Sequence, residues 1–203
     1  MNLILFFNGW GMDDGILKNP TIPEGFILKE VSYPYKVDID ISQYSDVYFI
    51  GWSFGCWYLT KYLIDNSIKT DKAIAINGHS KTIGKYGIAP KMFNLTLDTL
   101  TYENLLKFYE NMGIDREIFI PKRDFNSIKD ELEIFGKNYK EMGNIFNFAF
   151  VGENDRIIPG KKQIRYWKEN DISPYILQCE HYPFIQKDMF NTIIKRVQNE
   201  LSK

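Results

Sequence analysis

One serine stands where its surroundings make chemistry of it. Gly51-Trp52-Ser53-Phe54-Gly55 fits G-x-S-x-G, with an apolar run before it and a helical pattern after it. A strand, a tight turn and a helix in that order hold a serine hydroxyl at the tip of a nucleophile elbow. The competing reading is a plain strand-to-helix turn with Ser53 as the helix cap. A serine hydroxyl attacks little until a base takes its proton, and the chain has 2 histidines. His181 follows the last apolar run and suits the chain order serine, acid, histidine. Its plain reading is a loop histidine at the surface. His79 follows an earlier run and reads as a polar residue at the mouth of a cleft. The base needs an acid to fix its tautomer and steady its cation. In Gly152-Glu153-Asn154-Asp155 the candidate is Asp155 and the alternative is Glu153. An Asx-turn closing the loop is the plain reading of that aspartate. Acyl transfer also needs two N–H donors for the oxyanion. One falls to the amide of Phe54. The other falls to the loop Asn8-Gly9-Trp10-Gly11-Met12, where two glycines let the backbone turn inward.

These residues need elements to carry them. Apolar runs at 3–7, 26–31, 47–50, 73–76, 145–151 and 175–177 read as strands, most of them ending at Gly, Asn or Pro. Continuous apolar runs of this kind suit strands buried on both faces. Residues 53–65 carry Cys56, Leu59, Tyr62 and Leu63 at helical spacing, and a closing helix repeats at Phe190, Ile193, Ile194, Val197 and Leu201. Pro159 and the lysines after it predict that a helix resumes there. Strands alternating with helices predict a parallel α/β sheet of about six strands. Between residue 81 and about 144 the rhythm breaks, and helical patterns appear near 102–111 and 127–139. The expected organisation is a core of 1–81 and 139–203 with an inserted helical lid at 82–138.

Composition narrows the function classes. The chain has 203 residues, with Lys plus Arg 25, Asp plus Glu 26 and a net charge of -1. That balance leaves no basic footprint for nucleic acid. No apolar run reaches the roughly 18 residues of a membrane helix, and the start lacks the basic leader of a signal peptide. The expectation is a cytoplasmic protein, acting as a monomer. Cys56 and Cys179 have no metal or disulfide spacing and read as two free thiols. With those and 2 histidines no metal set is present, and no phosphate-binding loop or dinucleotide fingerprint occurs, so no cofactor is expected.

Phe7-Asn8-Gly9-Trp10-Gly11-Met12, Gly51-Trp52-Ser53-Phe54-Gly55, Gly152 with Asp155 and Pro159, and His181-Tyr182-Pro183-Phe184 together resemble the α/β-hydrolase superfamily over almost the whole chain. G-W-G at the oxyanion loop, G-W-S at the elbow and H-x-P-F at the histidine resemble the biotin-pathway carboxylesterases that act on pimeloyl-[acyl-carrier protein] methyl ester. The short chain and N-G-W-G-M resemble the BioG branch. The resemblance implies an α/β-hydrolase fold and a serine esterase working through an acyl-serine on Ser53, with His181 and Asp155. It implies that Trp10 and Phe54 supply the oxyanion donors, and that Trp10, Ser53 and Phe54 line the acyl site. The partner it implies is acyl carrier protein bearing the ester. The chain departs from many hydrolases in having Asn8 where they have histidine. It also lacks the strands that usually precede the oxyanion strand.

Two other readings compete. One is a general short-chain carboxylesterase or thioesterase; the other is a catalytically silent hydrolase fold that binds a ligand. The segment 83–138 holds Phe93, Tyr102, Phe108, Tyr109, Phe119, Phe125 and Phe135, which either face an acyl chain or form the lid's own core. Its 8 basic and 9 acidic residues make no basic face. Lys122-Arg123 with Arg116 nearby is the local cluster open to an acidic carrier.

Overall fold

Neighbouring side chains along β1 (Asn2–Phe7) enter two different apolar layers. Leu3, Leu5 and Phe7 pack on one side with Phe49, Ala75, Cys56 and Leu59, while Ile4 and Phe6 pack on the other with Ile50, Ile76 and Phe190. A strand with a period of two that is apolar at every position must be covered on both faces. The structure supplies both covers. It is a computed structural model that describes residues 1–117 and 119–203.

The remaining strands are β2 (Phe26–Val31), β3 (Val47–Trp52), β4 (Ala73–Ile76), β5 (Phe148–Gly152) and β6 (Tyr175–Leu177). They form one sheet in the order β2-β1-β3-β4-β5-β6, and every pair is parallel. The expected α/β class and the six strands are both present. The helices are α1 (Phe54–Asp65), α2 (Pro90–Asp98), α3 (Tyr102–Asn111), α4 (Phe125–Asn138), α5 (Gly160–Lys168) and α6 (Met189–Leu201). Cys56, Leu59 and Leu63 of α1 cover one face with Tyr166 and Trp167 of α5. Phe190, Ile193, Ile194 and Val197 of α6 cover the other, with buried residues of α3 and α4.

Two details differ from the sequence reading. The fifth strand begins at Phe148 rather than at residue 145. Asn144 explains the shift: its side chain bonds both the N–H and the C=O of Phe146, and so removes them from a ladder. The segment between β4 and β5 also holds α2, which buries only Phe93 and begins with Pro90 at its first turn.

No helix among the described residues is long and apolar enough to cross a membrane. Cys56 and Cys179 are free thiols.

Candidate active site

β3 ends at Trp52 and α1 begins at Phe54, which leaves one residue to make the corner. Ser53 makes it at φ 55 and ψ -123, a left-handed backbone that costs a non-glycine residue on the order of 1 kcal/mol or more. Its N–H donates to Ile76 O, and its C=O accepts from Cys56 N–H, both at 3.0 Å. The corner is too tight for flanking side chains. A Cβ on Gly51 would lie 2.7 Å from Cys56 Cα, and one on Gly55 would lie 2.0 Å from the Phe7 carbonyl oxygen. The two motif glycines are therefore fixed by packing.

From this corner Ser53 Oγ lies 2.9 Å from His181 Nε2. His181 Nδ1 lies 2.7 Å from Asp155 Oδ2. A carboxylate at Nδ1 holds the ring proton there, which leaves Nε2 as the acceptor for the serine hydroxyl. The imidazole and the carboxylate side chain are fully buried, and Ser53 is 6% exposed. The structure thus brings together three residues that are far apart in sequence.

Asp155 is also the Asx-turn of its plain reading. Its Oδ1 accepts from Ile157 and Ile158 N–H at 2.8 and 2.9 Å, and Gln163 Nε2 donates to Oδ2 at 2.9 Å. One oxygen shapes the loop while the other meets the histidine. Glu153 does neither; its exposed carboxylate accepts from Gln178.

His79 lies elsewhere than the sequence suggested. It is fully buried, not at a cleft mouth, and stacks on Tyr166 with ring centroids 4.2 Å apart. Its Nδ1 accepts from Lys81 N–H, so Nε2 donates to Tyr86 O. Burial pushes its pKa down to about 4 and keeps it neutral.

Sequence reasoning missed the positioning roles of three residues, one of which, Trp52, lies inside the elbow motif. Asn77, at the end of β4 with φ 45, accepts Gly152 N–H at 2.6 Å and donates to the carbonyls of Glu180 and His181 at 3.1 and 2.8 Å. Trp52 Nε1 donates to the same His181 carbonyl at 2.8 Å. Gln163 bridges Asp155 and Ile158 O.

The loop after β1 is held as tightly. Tyr109 donates to Gly11 O at 2.9 Å, Trp10 Nε1 to Ile128 O at 2.9 Å, and Gly11 N–H to Glu131 at 3.3 Å. Neither the Trp10 nor the Phe54 amide N–H meets an acceptor among the described residues. For Phe54 the reason is its place in the first turn of α1, where no intrahelical carbonyl is available. Asn8, at the departure from the usual histidine, is buried and donates to Glu30 and Ser32 on the β2 side.

A cavity of about 600 Å³ opens beside the site. Trp10 and Phe54 line it, together with Phe93, Leu100, Phe108 and Leu132 of the segment between β4 and β5. Some of the segment's aromatics line this cavity and others pack on neighbouring rings. Phe93 and Phe108 line the cavity, while Phe135 stacks on Phe54 at 4.2 Å and Tyr109 packs against Phe119. Lys107, Arg156 and Lys162 also line the cavity, Arg156 with Glu180 3.5 Å away, and no acidic residue among those described lines it. The basic cluster expected at Lys122-Arg123 is not a free face. Arg123 is mostly buried and pairs with the fully buried Glu131 at 2.6 Å, and Arg116 is paired with Glu103 and Glu110. Lys122 alone of the pair is well exposed, with Asp14 3.7 Å away.

The chain is similar to known proteins over nearly its whole length. The family model described as pimeloyl-ACP methyl esterase BioG matches residues 1–193. A crystal structure of BioG from Haemophilus influenzae superposes with a TM-score of 0.82 at 27% identity, covering 93% of this chain and 92% of that one. A 2-hydroxy-6-oxo-6-phenylhexa-2,4-dienoate hydrolase from Rhodococcus sp. strain RHA1 shares the fold, with a TM-score of 0.59 at 13% identity over 100% of this chain and 90% of that one. A malonyl-[acyl-carrier protein] O-methyltransferase of Bacteroides fragilis (strain 638R) is 33% identical over 188 residues. That match takes in 85% of this chain but spans only 38% of the relative's length. With the whole sheet, the elbow and the loop after β1 inside the matched region, the chain belongs to the BioG family of α/β-hydrolases.

Proposed function

We propose that this chain is a cytoplasmic serine esterase of biotin synthesis that hydrolyses the methyl ester of a pimeloyl chain carried on acyl carrier protein. The observation that carries the reading is the hydrogen-bond chain from Ser53 through His181 to Asp155, buried at the C-terminal edge of the sheet. Family membership supports the ester and the carrier. The Bacteroides relative is consistent with both, since its name describes methylation of a carrier-bound acid.

In this mechanism His181 Nε2 takes the Ser53 proton as Oγ attacks the ester carbonyl. The new oxyanion sits against the Trp10 and Phe54 amides. The C–O bond to methoxide breaks, and the imidazolium gives it the proton, so methanol leaves. Water then gives a proton to His181 and attacks the acyl-serine. A second tetrahedral collapse returns the serine and frees the carboxylate. Asp155 keeps the imidazole in one tautomer throughout. Trp10 and Phe54 also form the wall against which the acyl chain lies. The lining is mostly apolar, as a methylene chain needs.

An acidic carrier would approach the rim that holds Lys107, Arg156 and Lys162, with the protein acting as a monomer. The direct test is to incubate purified protein with pimeloyl-carrier methyl ester and weigh the product. Conversion to the free carrier-bound acid, absent in Ser53→Ala, supports the reading. Turnover of p-nitrophenyl esters with no conversion of the carrier ester favours the general esterase instead. No labelling of Ser53 by a fluorophosphonate favours the silent binding fold.

A further inference from the structure

The segment between β4 and β5 reads from sequence as a lid, yet four of its polar contacts run into the loop at residues 8–12. Ile128 O on α4 takes the Trp10 indole N–H at 2.9 Å. Glu131, also on α4, takes the Gly11 N–H at 3.3 Å. Tyr109 on α3 donates to the Gly11 carbonyl at 2.9 Å. Arg123, just ahead of α4, donates to the Met12 carbonyl at 3.2 Å. Trp10 is thus fixed through its own side chain and through both polar groups of the glycine that follows it.

Glu131 is the centre of this arrangement. Its side chain is fully buried, with Arg123 at 2.6 Å on one oxygen and the Tyr35 hydroxyl at 2.9 Å on the other. Tyr35 also stands 3.2 and 3.3 Å from the Asn8 and Gly9 carbonyls, and its one proton serves one acceptor at a time. Buried ion pairs add little net stability, because desolvation cancels most of their attraction. Stability alone is therefore a poor reason for this pair. Besides Tyr35 on the carboxylate and Ser127 on the guanidinium, the pair bonds the backbone of residues 11 and 12. Gly11 has φ 75, and a Cβ there would sit 2.8 Å from the Tyr109 hydroxyl. The loop and the two helices are fitted to each other at that point.

We propose that Tyr109 and Glu131 are positioning residues of the hydrolytic reaction: they hold the Gly11 peptides so that the Trp10 N–H stays aimed at the developing oxyanion. The inference rests on the esterase reading, in which Trp10 is an oxyanion donor. It makes α3 and α4 a fixed part of the active site, not a cover that swings away. Opening them would break the contacts to Trp10, Gly11 and Met12 together.

The test compares Tyr109→Phe, Glu131→Gln and Glu131→Ala with the wild type. Active sites are first counted with a fluorophosphonate, so that misfolded protein drops out of the comparison. Two quantities are then measured per active site: kcat and KM on p-nitrophenyl butyrate, and affinity for a trifluoromethyl ketone, whose serine adduct carries the oxyanion. Tyr109→Phe and Glu131→Ala are expected to lower kcat about 10-fold or more with KM within about 2-fold, and to weaken the ketone by the same factor; loss of a whole oxyanion donor sets an upper scale of ~10²–10³. Glu131→Gln keeps an acceptor for Gly11 and should recover part of the loss. Unchanged kcat and ketone affinity per active site, with only the melting temperature lowered, would overturn the inference while Ser53→Ala remains dead and the esterase reading stands. Hydrolysis retained in Ser53→Ala would end that reading and this inference with it.

Discussion

The side chain of Asn77, at the end of β4, donates to the main-chain carbonyl of His181 at 2.8 Å. The same amide group accepts the Gly152 N–H at the end of β5. One residue thus ties the strand that leads to Asp155 to the loop that carries His181. Asn77→Asp keeps an acceptor for Gly152 but removes the donor to His181. It is expected to lower kcat by roughly 10-fold through a misplaced imidazole, and to lower stability by about 1–3 kcal/mol for unpaired buried polar groups. Steady-state kinetics and urea unfolding of the same preparation test both halves. Unchanged kcat would show that Trp52 alone holds the histidine loop.

The corner at Ser53 gives a prediction about stability. A serine at φ 55 is strained and a glycine there is not. Ser53→Ala and Ser53→Gly should both lose hydrolysis and fluorophosphonate labelling. Ser53→Gly should nevertheless be the more stable of the two, by about 1 kcal/mol. Equal melting curves would mean that the elbow stores no strain.

Glu30 gives a pH dependence of stability. Burial raises its pKa from 4.5 to about 7, partly offset by the hydrogen bond from Asn8. The folded state then holds a proton that the unfolded state has released between about pH 4.5 and 7. Stability from this group is present at low pH and is lost as pH rises through about 7. Glu30→Gln removes the titration and still offers an acceptor to Asn8. The variant should gain on the wild type as pH rises, by up to about 3 kcal/mol above pH 7, and the gain should vanish near pH 4.5. Chemical denaturation at several pH values measures it, and a constant difference would contradict the burial argument.

Lys107 lines the cavity and is exposed, whereas Arg123 is locked to Glu131. Lys107→Glu should raise KM for the carrier-bound ester several-fold at low salt and leave p-nitrophenyl butyrate unaffected. Added salt should shrink the difference. An equal effect on both substrates would point to a damaged cavity instead of a lost approach surface.

How much of this was legible beforehand follows from the range of each signal. The six strands and the elbow show in local patterns, because an apolar run ended by Gly or Asn has few other ways to fold. Asp155 and His181 follow recognisable strand ends. Asn77 gives no such sign: it is one polar residue after Ala-Ile-Ala-Ile, and its role depends on β4 lying beside β5. Gln163 lies within a run of basic residues and shows its purpose only once α5 folds back over the Asp155 loop. Arg123 looked like half of an exposed basic pair, since nothing near it in sequence says that Glu131, 8 residues on, is buried with it. The start of β5 differs for a similar reason, because Ile145 and Phe146 are apolar enough for a strand but Asn144 occupies the Phe146 backbone.

The grip of Tyr109 and Glu131 on Gly11 bears on how this scaffold can be rebuilt. In a hydrolase whose cap is a separable module, one cap can be exchanged for another to change the substrate. Here a transplanted cap would arrive without the carboxylate and the phenol that grasp residue 11, and the loop after β1 would lose its support along with its roof. Redesign of acyl selectivity in this enzyme is therefore confined to side chains such as Phe93, Leu100 and Phe108, with the two helical anchors left in place.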